Sequence, residues 1–197
     1  ASFGVGDGAE TPTGRNFVYQ APVSSTKVQI FIDGTWLYYS LIHGRERHDP
    51  FTDRFGPNPW RQHAIEWASL SRIIAKDLQS QLAVQNGYEL PLEVVRCTAF
   101  TSMREDTPSE SERRKMIDDM TQLPIFDVTA LTTDGPQEKC VDISLAVSML
   151  YNAVVGAYDI AVILTGDKDF IPAMEKTRTI GKRVALCSIR SSCNRYL

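Results

Sequence analysis

The chain has 197 residues, 43% of them hydrophobic and 23% charged, with a formal net charge of −3 at pH 7. That length suits one domain, and the balance excludes both a wholly disordered chain and a fibrous one. No apolar run approaches the roughly 18 residues of a membrane-spanning helix, and a chain this acidic does not hold nucleic acid by bulk charge alone.

Residues 1–26 are rich in glycine and proline and poor in apolar side chains, so they read as a flexible or extended leader without a secretory signal. The domain is expected over residues 27–197. Val28 to Ile32 is a β-rich run that ends in Asp33-Gly34, the pattern of a strand followed by a turn. Gly44, Pro50, Gly56, Pro57 and Pro59 mark an irregular insertion over residues 44–60. His43, His48 and His63 lie in or near it at irregular spacings that do not suit a metal site.

Alanine, leucine and isoleucine then recur at helical spacing from Ala64 to about Gln85, closing at Asn86-Gly87. Leu92 to Phe100 is a second strand. Thr107-Pro108-Ser109-Glu110 has the pattern of a capping box with proline at the first helical position, predicting a helix to about Gln122. The charges within it, Arg113-Arg114-Lys115 among Glu110, Glu112, Asp118 and Asp119, read as a solvated face in preference to an RNA track. Ile125 to Leu131 is a third strand. From Glu138 to Val155 apolar residues occupy a wide helical face that includes Val141, Leu145, Met149 and Ala153. Tyr158 to Leu164 is an uninterrupted strand core, Phe170 to Ile180 a helix that stops at Gly181, and Arg183 to Ser188 a fifth strand.

Strands alternating with helices imply β-α-β crossovers. The predicted fold is therefore α/β, a Rossmann-like three-layer sandwich around a mainly parallel five-stranded sheet. In such sheets the working site lies beyond the carboxyl ends of the strands. Asp33 ends the first strand, Asp167 and Asp169 follow the fourth, and Asp142 falls in the first turn of the helix after the third. Each aspartate alone has a structural explanation as a turn or cap residue, Asp169 for instance as the cap of the helix at Phe170. Together they would repel one another unless a cation joined them, and carboxylate oxygens favour Mg²⁺ or Mn²⁺.

Three segments resemble the NYN branch of the PIN-like metal-dependent nucleases. They are Phe31-Ile32-Asp33-Gly34-Thr35-Trp36-Leu37, Lys139-Cys140-Val141-Asp142-Ile143 with the helix behind it, and Thr165-Gly166-Asp167-Lys168-Asp169-Phe170-Ile171-Pro172 running on to Gly181-Lys182-Arg183-Val184. The order is that of the family, from Lys27 to about Ser188. The resemblance implies a PIN-like fold and Asp33, Asp142, Asp167 and Asp169 as the catalytic, metal-binding set. It further implies Mg²⁺ or Mn²⁺ as cofactor and hydrolysis of RNA, expected to be single-stranded. On the substrate side the resemblance implies Thr165 as a support of the site through its hydroxyl, with Lys139 and Lys168 as candidate phosphate contacts and Trp36 as a further candidate. A haloacid-dehalogenase-like phosphatase, with its D-x-D-G-T motif, fits worse, because Phe31 would stand at the nucleophile position and cannot form an aspartyl-phosphate.

Trp36 stands where the family usually has asparagine, which raises two alternatives for its ring: stacking on a base or packing over the first helix. Cys140 replaces the usual glycine and restricts the backbone there. The family's final helix is expected to be shortened or to continue past Leu197. Trp36, the positive region near the C-terminus and the long insertion motivate a second reading, a catalytically weakened scaffold that binds RNA or protein, with a protein partner or homo-oligomer and no membrane. Residues 165–197 carry seven basic side chains against three acidic ones, a local positive region on an acidic body. Four cysteines without a C-x-x-C pair suit an intracellular, reducing compartment: the cytoplasm, or an organelle if a targeting peptide has been removed.

Overall fold

The computed structural model describes residues 24–41, 54–56, 65–104, 107–108, 111–133, 140–189 and 193–194. Most of the leader, most of the insertion, the three histidines and Lys139 therefore lie outside the described residues.

The regular elements are β1 (Thr26–Asp33), α1 (Gly34–Leu41), α2 (Trp67–Asn86), β2 (Leu92–Arg104), α3 (Glu112–Thr121), β3 (Phe126–Thr133), α4 (Val141–Val154), β4 (Ile160–Leu164), α5 (Ile171–Thr179) and β5 (Arg183–Cys187). A 3₁₀ turn, Lys168–Phe170, leads into α5. The five strands form one sheet in the order β3-β2-β1-β4-β5, and every neighbouring pair is parallel. The expected α/β sandwich is thus present, with a sheet that is parallel throughout. Strand order runs outward from β1 in both directions, so the topological switch point lies between β1 and β4.

Alternation along β1 divides the core into two layers. Val28, Ile30 and Ile32 pack with residues of α1, α2 and α3, including Trp36, Leu37, Ile74, Leu78, Met116 and Met120. Phe31 faces the other way, against Val141, Leu145 and Met149 of α4 and Met174 of α5. β4 is buried along its whole length, as a central parallel strand covered on both faces should be.

Several boundaries differ from the sequence expectation, and three of the differences have a clear local reason. The chain passes from β1 directly into α1 with no separate turn, because the Asp33 carboxylate accepts the Trp36 N–H at 2.9 Å and caps the helix. Gly34 is needed there: a Cβ would stand 2.8 Å from the Phe100 carbonyl oxygen and 3.0 Å from Thr101 Cβ. α3 begins after Ser111, whose hydroxyl accepts the Arg114 N–H at 3.2 Å, and not at Thr107-Pro108. β2 continues to Arg104 because Thr101–Arg104 still pair with Ala130–Thr133 of β3.

Cys140 precedes α4 in the left-handed region, φ 71° and ψ −4°, and is the sole non-glycine residue with positive φ among the described residues. A side chain in that conformation costs about 1–2 kcal/mol, and glycine relieves it at some entropic expense of its own. Cys140→Gly is therefore expected to raise stability by about 1 kcal/mol or less in urea unfolding. A destabilised variant would contradict this account of the turn.

Candidate functional site

The switch point is where the acidic segments meet. Asp33 ends β1 and is only 4% exposed, while Thr165 follows β4 and is wholly buried. The Thr165 hydroxyl donates to one oxygen of Asp33 at 3.0 Å, and the Trp36 N–H occupies the other at 2.9 Å. Thr165 in turn accepts the Asp167 N–H at 3.1 Å, and the Asp167 carboxylate accepts the Asp169 N–H at 3.0 Å. A single run of hydrogen bonds thus ties the start of α1 to the loop after β4. The Asn194 N–H closes on the same loop, donating to the Gly166 carbonyl at 2.9 Å.

Electrostatics brings in the third segment. The Asp33 carboxyl is pushed up to about 6, chiefly by burial, with Asp142 and Asp167 adding repulsion. The Trp36 N–H and Thr165 hydroxyl act in the opposite sense and do not outweigh it. Asp142 sits on the exposed first turn of α4, close enough to be felt at Asp33.

The four predicted aspartates are therefore not equivalent. Asp142 and Asp167 both act on Asp33, whereas Asp169 is exposed and enters the network through its backbone. Asp167, rather than Asp169, caps the 3₁₀ turn. Among the described residues no three His, Cys, Asp or Glu side chains already stand close enough together to hold a metal ion. The chemistry of the donor set nonetheless fits a hard divalent cation. A buried carboxylate facing two others carries a charge penalty that such an ion offsets.

The substrate-side candidates fare differently. Thr165 cannot offer its hydroxyl outward, since it is fully buried and engaged by Asp33 and Asp167; it is a positioning residue. Trp36 is 5% exposed and packed in the α1 layer of the core, which favours packing over stacking on a base. Lys168 is exposed on the 3₁₀ turn.

Arg113 was not anticipated. Its guanidinium carbon lies 4.8 Å from the ring centroid of Tyr38 and 5.3 Å from that of Tyr39, and its Nη2 donates to Thr35 Oγ1 at 3.5 Å. The Ser102 N–H donates to the same Thr35 oxygen at 3.2 Å. Arg114 likewise turns inward, donating to the Thr107 carbonyl at 3.2 Å. The expectation of a solvated basic face fails for both, because aromatic rings of α1 and a free loop carbonyl lie within their reach. The tyrosine pair in α1 was the available signal.

Raising a carboxyl above its ordinary value of 3.8 reverses the usual acid dependence. Asp33 favours the folded state most when protonated, so its contribution is complete below about pH 4 and is lost as pH rises through about 6. Asp33→Asn removes the charge and retains an acceptor for the Trp36 N–H. The metal-free variant should gain about 1–3 kcal/mol near pH 7.5 and little near pH 4, read by urea unfolding at both values. Equal effects at the two pH values would contradict a buried, repelled carboxylate.

A solved structure of a protein of unknown function from Vibrio parahaemolyticus RIMD 2210633 is similar in fold. It aligns with 89% of this chain and 88% of its own, with a TM-score of 0.51 and 16% identity. No curated protein matches. The family description "NYN domain" matches residues 27–196, a stretch that contains Asp33, Asp142, Asp167, Asp169 and Thr165. The chain belongs to the NYN domain family.

Proposed function

We propose that the chain is a metal-dependent endoribonuclease that hydrolyses RNA phosphodiesters at the β1/β4 switch point. Membership of the NYN family, within the PIN-like nucleases, supports a nuclease-like role. The observation that carries the reading is the state of Asp33. This carboxylate is buried, fixed from two sides and repelled by Asp142 and Asp167. A fold does not retain such a residue for stability, since a neutral side chain would be cheaper to bury.

In this proposal Asp33, Asp142 and Asp167 hold a divalent cation, Mg²⁺ or Mn²⁺, with Asp169 as an outer carboxylate. When bound, such an ion supplies an activated water and neutralises charge on the phosphodiester. The remaining work belongs to the chain. Thr165 fixes the orientation of Asp33 and of the Asp167 backbone, so both carboxylates keep their places as the phosphate arrives. Lys168, Lys139 and Arg113 are the proposed cations for phosphates flanking the scissile bond. Arg113 is the best prepared of them, because the rings of Tyr38 and Tyr39 and the Thr35 hydroxyl already restrict its guanidinium.

One observation favours a second reading, a binding module with weakened turnover. Trp36 is locked in the core where the family usually places a polar asparagine beside the metal, so the site is one polar ligand short.

Cleavage of a fluorescent single-stranded RNA with Mn²⁺ separates the two. The nuclease reading expects wild-type cleavage that chelation abolishes, and a loss of at least about a hundredfold in Asp142→Asn and in Asp167→Asn with the fold unchanged. The weakened-module reading expects RNA retention without cleavage, and activity that appears in Trp36→Asn. Cleavage that survives both aspartate substitutions would overturn the proposed mechanism.

A further inference from the structure

The nuclease site uses only the first turn of α4, yet this helix is apolar on two opposite faces. Val141, Leu145, Met149 and Ala153 are buried in the core. On the other side Ile143, Val147, Tyr151, Val154 and Val155 are between 55% and 70% exposed. Isolated exposed hydrophobics are ordinary, but four on one helix and a fifth at its C-cap form a contiguous patch.

The arrangement of the patch indicates what covers it. Ile143, Val147, Tyr151 and Val155 are spaced by four and form one continuous ridge along the helix. Ala146, Leu150 and Val154 form the parallel row beside it. Rows of this type on two helices interlock at a crossing angle of about 50°, the commonest packing of helices in globular proteins. Ala146 is small and opens the groove between the rows. A helix with this ridge and this groove is complementary to its own copy, as a two-fold interface requires.

Charge and area narrow the choice further. α4 contains one charged residue, Asp142, and no lysine or arginine. A phosphate backbone or an anionic lipid surface requires cations that this helix lacks. In an antiparallel crossing centred between Val147 and Tyr151, the two Asp142 residues sit roughly 20 Å apart at 1.5 Å rise per residue, beyond the screening length. Four aliphatic side chains and one tyrosine at these exposures present roughly 500 Å² of apolar surface per copy. Two copies together then cover at most about 1,000 Å², the lower limit for a specific interface and the range of dimers that form reversibly with concentration.

We infer that α4 is a self-association face through which two copies of this chain form a two-fold dimer. The inference is independent of the nuclease reading, because none of its residues belongs to the metal-binding set. Sedimentation velocity across the micromolar range tests it on the wild type, Val147→Glu, Tyr151→Glu and a control, Val84→Glu, altered at an 87% exposed position on α2. The wild type and the control should be dimers. Each α4 variant should weaken association at least about a hundredfold, with an unchanged circular-dichroism spectrum, because dimerisation would bury an unpaired carboxylate. A wild type that is monomeric throughout would overturn the inference and leave the face to a different partner. A dimer that persists in both α4 variants would overturn it too.

Discussion

The Asp33 carboxylate is the joint on which this molecule turns. One oxygen takes the Trp36 N–H and starts α1; the other takes the Thr165 hydroxyl and fixes the end of β4. The first contact is local to the helix cap; the second exists because the C-terminal ends of the adjacent strands β1 and β4 lie side by side. The parallel pairing of β1 with β4, from Val28 with Ile160 to Ile32 with Leu164, is therefore a condition for the site as well as for the sheet.

That joint is also a point of tension. Two neutral donors stabilise the ionised carboxylate, while burial and two further aspartates act against it, and the unfavourable influences prevail. The left-handed backbone at Cys140, immediately before the helix that carries Asp142, is a second strained feature at the same end of the sheet. Both are departures from what stability alone would select, and both lie on the rim that carries the acidic residues. Elsewhere the local choices agree with the fold. Ser111 caps α3, Pro172 sits in the first turn of α5, and Gly87 takes the left-handed position that ends α2.

Much of this was legible in the sequence for identifiable reasons. Uninterrupted apolar runs such as Ile160–Leu164 and helical periodicity such as Val141, Leu145 and Met149 are signals that burial itself imposes. Family motifs marked the aspartates, since their spacing follows the strand ends. Other features depend on contacts that no local pattern carries. The family motif marks Thr165 as a support of the site, and only the β1/β4 pairing shows that its hydroxyl is directed to Asp33. Arg113 and Arg114 looked solvated, because consecutive charges do not disclose the rings and carbonyl that receive them. The start of α3 differs from the Thr107-Pro108 pattern because Ser111 is the residue whose hydroxyl reaches a helix N–H, that of Arg114. The outer face of α4 was apolar in the sequence, but periodicity cannot separate a face that packs in its own core from one that stays exposed.

The central claim is that the tension at Asp33 exists to be relieved by a divalent cation. Isothermal titration of Mn²⁺ into the wild type and into Asp33→Asn tests it without reference to turnover or substrate. The account predicts saturable binding to the wild type and its loss in the variant. Absence of binding to the wild type, or equal binding to both proteins, would contradict it.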